Sequence, residues 1–438
     1  MVSTPIYDFV SSYARSSPSR FHVPGHKGTP LLGPEPLDLT EVTGADDLYA
    51  PEGIIAESQR VAASLFGTAA TFYSAEGSSL CVRAMVRLLL DHRPCGASRT
   101  ILAARNVHRS FVSAAALLDA EVTWLYPAVG DSALSCLLSP DALDRALSDL
   151  STPPAAVWVT SPDYLGAMQD VSALAEVCHR RGTRLAVDNA HGAYLHFLTD
   201  PRHPMDLGAD ICCDSAHKTL PVLTGGAYLH LSRRCPADMI GDVSSALSLF
   251  GSSSPSYLIL TSLDLVNAAL ASDLPEQLRQ ARDRTEGTKA SMAQEGWPVC
   301  PSDPLRITLQ TDGPAVARRL RDSGVVSEYA DPDHVVLMVS PANSPEDHST
   351  LLNALGRDVP PAPPLPPVPR ATSVLTLREA LLGPRKTVRI DDAVGCICAG
   401  ISAACPPAVP PVMPGERFSE EHISLFRRFG TETVSVVP

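Results

Sequence analysis

The sequence contains no Cys-x-x-Cys pair, although 11 of its 438 residues are cysteine. The missing spacing excludes the common zinc-binding motifs, so no metal site is expected. The cysteines are scattered along the chain, and Cys212 and Cys213 are adjacent. We interpret them as buried free thiols of a protein in a reducing compartment.

A hydrophobic leader and a long apolar run are also missing. The N-terminus lacks the basic start and apolar stretch of a secretory signal, and no run approaches the roughly 18 apolar residues that span a bilayer. Positive charge is scarce: 35 Lys and Arg stand against 48 Asp and Glu, and the formal charge is −13. This charge repels phosphate backbones and anionic lipids. We therefore expect a cytoplasmic protein without nucleic-acid or membrane partners.

Proline is the residue in excess, with 40 in 438 residues. Seven of them lie within residues 360–369, which predicts a semi-rigid polyproline II spacer. This spacer and the composition of the flanking stretches predict five regions. They are an N-terminal arm (1–50), a large domain (51–270), a small α/β domain (271–358), a Pro-rich linker (359–372) and a C-terminal segment (373–438).

Short apolar runs of strand length alternate with segments of helical period through the large domain. The predicted strands are 100–104, 122–127, 155–161, 184–190 and 209–216, and a strand at 335–340 belongs to the small domain. The predicted helices are 51–66, 79–90, 110–120, 171–181 and 344–357. This alternation predicts an α/β fold with a mostly parallel sheet that helices cover on both faces.

Three chemically distinct groups stand where the carboxyl ends of the predicted parallel strands form a ligand crevice. Asp188 ends one apolar strand, and Lys218 follows another. Earlier in the chain, Gly77, Ser78 and Ser79 form a small-residue turn at the start of a helix. Pyridoxal phosphate (PLP) needs such a set, because it requires an amine for its aldehyde, a carboxylate for its ring nitrogen and backbone donors for its phosphate. The sequence therefore predicts a PLP site.

Several sequence segments resemble the Orn/Lys/Arg decarboxylase family, over about residues 5–265 and more weakly over 393–416. They are HVPGHKG (22–28), DLTEVTGADDLYAPEGIIAESQRVAASLFG (38–67), RNVHRS (105–110), VTSPDYLG (159–166), DNAHGAY (188–194), DSAHKTLPVLTGG (214–226) and SSSPSYLILTSLD (252–264). The resemblance implies a fold type I PLP enzyme, similar to aspartate aminotransferase. It is to the short form of the family, which has no N-terminal receiver-like domain.

The resemblance also implies roles for individual residues. Lys218 corresponds to the Schiff-base lysine, Asp188 to the partner of the pyridinium nitrogen and His108 to the imidazole that stacks on the ring. His191 corresponds to a residue that bonds near the phenolic oxygen or Asp188. The phosphate-binding residues would be Gly77, Ser78, Ser79, Ser215 and His217, with Ser253 and Ser254 reaching the phosphate of a neighbouring subunit. A homodimer is therefore implied.

The implied reaction is decarboxylation of arginine, lysine or ornithine to the corresponding amine and CO2. Two alternatives stay open: another fold type I reaction, such as transamination or lysis, and a non-catalytic PLP-binding pseudoenzyme. A carboxylate should meet the cationic side chain of the substrate, and the candidates are Asp46, Asp47, Glu76 and Asp163. Arg306 is the one arginine near the expected small-domain strand, and we expect it on the surface.

Some positions depart from the family pattern. They are Glu76 and Ser78 in the phosphate turn, Asp163 in the SPxY turn, Asn189 and Tyr194 after Asp188, Asp214 before Lys218, and Cys396 and Cys405 in the C-terminal segment. The resemblance implies that these changes bear on the substrate pocket more than on PLP binding.

Overall fold

A computed structural model describes residues 2–127, 132–361, 364–401 and 408–438. The strands are β1 Ala70–Ser74, β2 Thr100–Ala104, β3 Glu121–Leu125, β4 Ala156–Thr160, β5 Arg184–Asp188, β6 Ile211–Asp214, β7 Ala227–Leu231, β8 Arg306–Gln310, β9 Tyr329–Ala330, β10 His334–Met338, β11 Lys386–Arg389 and β12 Thr433–Val436.

The α-helices in the first half of the chain are α1 Pro5–Ser16, α2 Ile54–Leu65, α3 Gly77–Asp91, α4 Arg109–Leu117, α5 Pro140–Ser148, α6 Val171–Arg180 and α7 Ala216–Thr219. Those that follow are α8 Ala237–Gly241, α9 Val243–Ser248, α10 Tyr257–Leu270, α11 Leu274–Gln294, α12 Gly313–Asp322, α13 Pro345–Leu355, α14 Leu377–Leu382 and α15 Glu420–Arg428. Short 3-10 helices occur at Glu35–Leu37, Ala193–Phe197 and Ile390–Asp392.

The main sheet has seven strands in the order β1-β7-β6-β5-β4-β2-β3. Strand β7 is antiparallel to both of its neighbours, whereas β2 is parallel to β3 and β4, and β5 is parallel to β6. The predicted α/β architecture with a mostly parallel sheet is confirmed. In the pairing of β5 with β6, Asp188 lies opposite Cys213, so the two strands end at the same edge.

The chain forms two compact units, each made of two stretches of sequence. The first unit comprises the residues up to Pro94 together with Val171–Leu278, and the second comprises Cys95–Asp170 together with Arg279–Pro438. The first unit contains β1, β5, β6 and β7 with the helices that cover them. The second contains β2, β3 and β4, the three-stranded sheet β8-β10-β9 and the two-stranded sheet β11-β12. The five regions predicted from the sequence stay a prediction.

Most of the predicted elements are confirmed, with shifted ends. Strand β2 has the predicted bounds. The strand predicted at 209–216 is shorter, because Ala216 begins the single-turn helix α7, which contains Lys218. Helix α1 lies inside the predicted arm and is not predicted from the sequence. It begins with Pro5 at its first turn and buries Ile6 and Val10, one turn apart on one face.

Ten of the cysteines lie in the part of the chain that the structure describes, and all ten are free thiols. Seven of these ten are buried, which agrees with their interpretation as small core residues.

Within the described ranges, no single helix is long and apolar enough to cross a membrane. Helices α10 and α11 meet the length and composition criteria only as a pair that is bent by 82°.

The three-stranded sheet of the second unit depends on a close backbone approach at Gly313, the first residue of α12. A Cβ atom at this position would lie 2.1 Å from the carbonyl oxygen of His334 and 2.2 Å from that of Asp331. Neither carbonyl is the end of a flexible side chain, so the backbone itself would have to move. At Gly287, inside helix α11, such a Cβ would lie in open space beside its own helix.

These two glycines therefore predict opposite effects of the same substitution. We expect Gly313→Ala to lower the free energy of unfolding by about 1–3 kcal/mol, through overpacking against the two carbonyls. We expect Gly287→Ala to raise it by up to about 1 kcal/mol, because alanine favours a helix interior. Denaturant unfolding of the two variants would check this, and equal stabilities would contradict the close approach.

Candidate active site

Lys218 and His191 meet at the edge where β5 and β6 end. The Lys218 Nζ atom lies 3.0 Å from His191 Nε2. Lys218 is held by helix α7, which follows β6 directly, and His191 lies in the turn that follows β5. The amine thus contacts an imidazole that is able to exchange a proton with it.

Asp188 lies at the same edge and is only 3% exposed. Its Oδ1 atom accepts hydrogen bonds from the Ala190 amide at 3.2 Å and from the Cys213 thiol at 3.8 Å. Burial raises the pKa of Asp188, while the charge of Lys218 and the Ala190 amide act in the opposite direction. A carboxylate in such a dry site gains strongly from a cationic partner, so this position suits a protonated ring nitrogen.

The turn before α3 has the form of an anion cradle. Gly77 has a φ of +72°, where an L side chain is strained, and its amide donates to the Gly225 carbonyl at 2.7 Å. Ser215 Oγ donates to Ser78 Oγ at 2.7 Å, which joins the residue next to α7 to the first turn of α3. The N-cap residue Glu76 accepts no hydrogen bond from that turn. The amides of Ser78 and Ser79 therefore belong to a helix N-terminus that favours an anion.

Glu76 points to a different segment. Its Oε1 atom accepts a hydrogen bond from the Ser252 amide at 2.6 Å. A carboxylate and a phosphate in the same turn would repel each other. The hydrogen bond directs the Glu76 carboxylate toward residues 252–254 instead. Ser253 and Ser254 follow on that segment and are exposed, and the Ser254 amide donates to Ser252 Oγ at 3.2 Å.

His217 and His108 complete the predicted set. His217 is half-buried, its Nδ1 lies 3.0 Å from the Gly226 carbonyl oxygen, and burial lowers its pKa. His108 lies in the second unit, at the N-cap of α4, where its Nδ1 accepts from the Ser110 amide at 3.2 Å and lies 2.7 Å from Ser110 Oγ. The first unit contains all the other predicted site residues.

Two candidates for the substrate carboxylate are occupied by backbone amides. Asp46 is buried, and its two oxygens accept from the amides of five residues around the start of α2: Asp47, Glu52, Gly53, Ile55 and Ala56. Asp163 is 1% exposed, and its Oδ1 accepts from the amides of Leu165 at 3.0 Å and Ala167 at 2.9 Å. Both acids are buried and hold the backbone, and their possible contact with the substrate stays a prediction.

Arg306 was expected on the surface, and this expectation is wrong. The residue is 1% exposed, and its Nη1 donates to the carbonyl oxygens of Asp163 at 2.9 Å and Tyr164 at 2.7 Å. Its Nε lies 3.1 Å from Asp303 Oδ2. The guanidinium therefore ties the start of β8 to the turn after β4. Of the C-terminal departures, Cys396 donates to the Asp392 carbonyl at 3.7 Å, and Cys405 lies outside the described residues.

A buried polar network next to Asp188 was not predicted. Asp214 Oδ2 lies 2.9 Å from His203 Nε2 and 3.1 Å from His230 Nε2, and its Oδ1 accepts from Asn189 Nδ2 at 2.6 Å. Burial alone would raise the pKa of Asp214, but the two imidazoles outweigh it, and the pKa lies well below its usual range. Asn189 and Asp214 are two of the departures from the family pattern, and the structure shows that they are partners.

His203, Asp214 and His230 have the composition of a metal site, and their ligand atoms lie within 4.8 Å of one another. The hydrogen bonds favour a different interpretation. His203 Nδ1 accepts from the Met205 amide at 3.3 Å, so a ring proton is on Nε2 and is donated to Asp214. A nitrogen that carries a proton does not bind a metal. We therefore interpret the cluster as a hydrogen-bonded network, and the absence of a metal site stays a prediction.

Asp163 generates a prediction about pH. Burial raises its pKa from 3.8 to about 6, despite opposing hydrogen bonds and the charge of Arg306. Between these pH values the folded state keeps a proton that the unfolded state releases, so the contribution of this group to stability falls as the pH rises.

We expect Asp163→Asn to remove this effect, because an amide oxygen still accepts from the backbone but does not titrate. The free energy of unfolding of the parent protein should therefore lose about 2 kcal/mol relative to the variant between pH 4 and pH 7. Denaturant unfolding across this range would measure it. A constant difference between the two proteins would contradict the raised pKa.

The family described as Orn/Lys/Arg decarboxylase, major domain, matches residues 4–311. Two proteins of Bacillus subtilis (strain 168) are similar over nearly the whole chain. Uncharacterized protein YaaO is 30% identical over 98% of this chain and 94% of its own length. An arginine decarboxylase is 29% identical over 96% of this chain and 92% of its own length.

Solved structures show the same fold. The E. coli constitutive lysine decarboxylase has a TM-score of 0.78 at 16% identity, and covers 100% of this chain with 82% of its own. A variant of a serine palmitoyltransferase from S. paucimobilis, with a bound PLP–myriocin aldimine, has a TM-score of 0.58 at 14% identity, and covers 81% of this chain with 84% of its own. With the family match over residues 4–311, the chain belongs to the Orn/Lys/Arg decarboxylase family of fold type I, PLP-dependent enzymes.

Proposed function

We propose that this protein decarboxylates a basic amino acid, arginine first among the three candidates, and that Lys218, Asp188 and the α3 turn hold its PLP. The observation that carries the proposal is the contact of Lys218 Nζ with His191 Nε2 at 3.0 Å, beside the buried carboxylate of Asp188. The choice of arginine rests on the arginine decarboxylase of Bacillus subtilis, which is similar over 96% of this chain.

The described residues fit PLP at each of its three polar groups. Asp188 lies in a site where burial disfavours an unpaired carboxylate, so a protonated ring nitrogen would stabilise it. The Gly77 turn and the amides of Ser78 and Ser79 suit a phosphate at the N-terminus of a 15-residue helix. Ser215, bonded to Ser78, adds a hydroxyl, and Lys218 supplies the amine.

PLP, when bound, supplies an electron sink for the electron pair that the departing CO2 leaves behind. The chain's own residues then have separate tasks. Asp188 would keep a proton on the ring nitrogen. Lys218 Nζ would hold the proton destined for the substrate carbon, and His191 Nε2, in contact with it, would take up or return that proton. His108 would support the ring face, as the family resemblance implies.

The cationic end of the substrate still needs a carboxylate. Asp47 and Glu76 are exposed, and each accepts a backbone hydrogen bond, from Tyr49 at 2.8 Å and from Ser252 at 2.6 Å respectively. Burial raises the pKa of Tyr49 to about 12, and the charges of Glu76 and Asp47 add to that effect. We propose this acidic pair as the site that attracts the guanidinium group.

We also propose a homodimer. The segment with Ser253 and Ser254 is exposed, as it should be if it reaches the phosphate of a second subunit. Light scattering after size exclusion would measure the mass, and a PLP-loaded monomer would contradict this proposal.

The function is tested by loading the purified protein with PLP and measuring CO2 release from arginine, lysine and ornithine in turn. Release from arginine, faster than from the other two, is the expected result. Release from lysine or ornithine alone would support decarboxylation and contradict the choice of substrate. Bound PLP without CO2 release from any of the three would contradict decarboxylation and favour another PLP reaction or a pseudoenzyme.

Variants then test the individual roles. We expect Lys218→Ala to lose turnover and the visible absorbance of bound PLP, whereas Lys386→Ala, at an exposed position on β11, should keep both. We expect Asp188→Asn to keep the cofactor and to lose roughly 10²-fold or more in kcat, because the charge that holds the ring proton is gone. Turnover close to that of the parent in Asp188→Asn would show that another acid serves the ring nitrogen.

A further inference from the structure

Helix α4, which begins directly after His108, is held at both ends by the C-terminal segment of residues 373–438. At its N-terminus, the Arg109 amide donates to the Ala408 carbonyl at 2.9 Å. At its C-terminus, Arg378 Nη1 donates to the carbonyl oxygens of Ala116 at 3.3 Å and Leu117 at 3.0 Å. These carbonyl oxygens belong to the last turn, where they have no amide donors within the helix. A cation is therefore favourable there.

A buried ion pair fixes the start of the loop between β2 and α4, which contains His108. Arg105 is 4% exposed and Glu416 is 1% exposed, and Arg105 Nη2 lies 2.7 Å from Glu416 Oε2. Arg105 Nη2 also donates to the Pro411 carbonyl at 3.0 Å, and Glu416 Oε2 accepts from the Met413 amide at 2.7 Å. Burial raises the pKa of Glu416, and Arg105 opposes that effect. Loss of one partner would leave the other charge buried and unpaired, which is costly.

Aromatic rings complete the setting of Arg105. Its guanidinium carbon lies 5.2 Å from the ring centre of Trp124 and 5.7 Å from that of Tyr126. The Tyr126 hydroxyl accepts from the Ala371 amide at 3.1 Å, and Arg370 lies over the same ring at 5.0 Å. The end of the Pro-rich linker is therefore attached to the same cluster.

We propose that Glu416, acting through Arg105, is a positioning residue for His108, and that the C-terminal segment forms a clamp on α4 that sets where this imidazole stands. The proposal rests on the proposed function, in which His108 supports the cofactor ring. Arg105 and Arg109, both bonded to the C-terminal segment, lie on either side of His108 in the sequence. The His108 ring is tied to the first turn of α4 through Ser110, so the ring follows this helix when the helix shifts.

The first test uses the apoenzyme and hydrogen exchange of the amides in residues 105–117. Glu416→Gln should speed their exchange, because the charge that holds Arg105 is lost. Asp391→Asn is a matched control, since Asp391 also pairs with an arginine of the C-terminal segment, Arg427, at 2.7 Å, but on the exposed surface. This control should leave the exchange of α4 unchanged. Equal exchange in all three proteins would overturn the clamp.

The second test measures the PLP dissociation constant in a double-mutant cycle. Glu416→Gln should raise the constant about tenfold, the size expected when a hydrogen bond to a charged group is lost, and Asp391→Asn should not change it. In the background of His108→Ala, Glu416→Gln should have no further effect, because the group that it positions is gone. Additive effects of the two changes would overturn the action through His108.

A third variant covers the case in which Glu416→Gln fails to fold. Arg378→Gln removes the contact at the other end of α4 without unpairing a buried charge, and it should reproduce both effects in weaker form. No change in exchange or in PLP affinity would overturn the proposal. The proposed function is assayed separately by CO2 release from the parent protein, so its failure and that of the clamp are distinguishable.

Discussion

The candidate site depends on the register of β5 and β6, in which Asp188 lies opposite Cys213. This register ends two neighbouring strands at one edge and places two acids, Asp188 and Asp214, at their last positions, both buried. Two buried carboxylates at adjacent strand ends require separate sources of positive charge or hydrogen-bond donors. The structure meets this need differently for each acid.

Asp214 obtains its partners entirely within the protein, from His203, His230 and Asn189. Asp188 is left with one amide, a thiol and the nearby charge of Lys218. The acid with complete partners gives rigidity, and the acid with incomplete partners has capacity for a cation from outside. The family resemblance shows Asn189 and Asp214 as two unrelated departures. In the structure they are hydrogen-bonded partners, because Asn189 directly follows β5 and Asp214 ends β6.

The parts of the fold that were predictable are those with local signals. Apolar runs of strand length and the helices between them predicted the parallel sheet, and Asp188 and Lys218 were found because each directly follows such a run. What was not predictable depends on partners far along the chain. The residues around Asp46 do not indicate that it accepts hydrogen bonds from the start of α2. The sequence around Arg306 likewise does not show whether the side chain is exposed or bonded to carbonyls in the turn after β4. Arg105 lies in the same segment as His108, RNVHRS (105–110), but its partner Glu416 is 311 positions away in the sequence.

Helix α1 has a consequence for the synthesis of the chain. It buries Ile6 and Val10, and the Tyr7 amide is bonded to Asp264 of helix α10, which is 257 residues later. A ribosome that adds roughly 5–20 residues per second makes that partner about 10–50 s after α1. During this interval β1 also waits for β7, with which it pairs in the finished sheet. The growing chain therefore exposes the apolar face of an amphipathic helix and an unpaired strand for much of its synthesis, and this stage offers a chaperone a surface to bind.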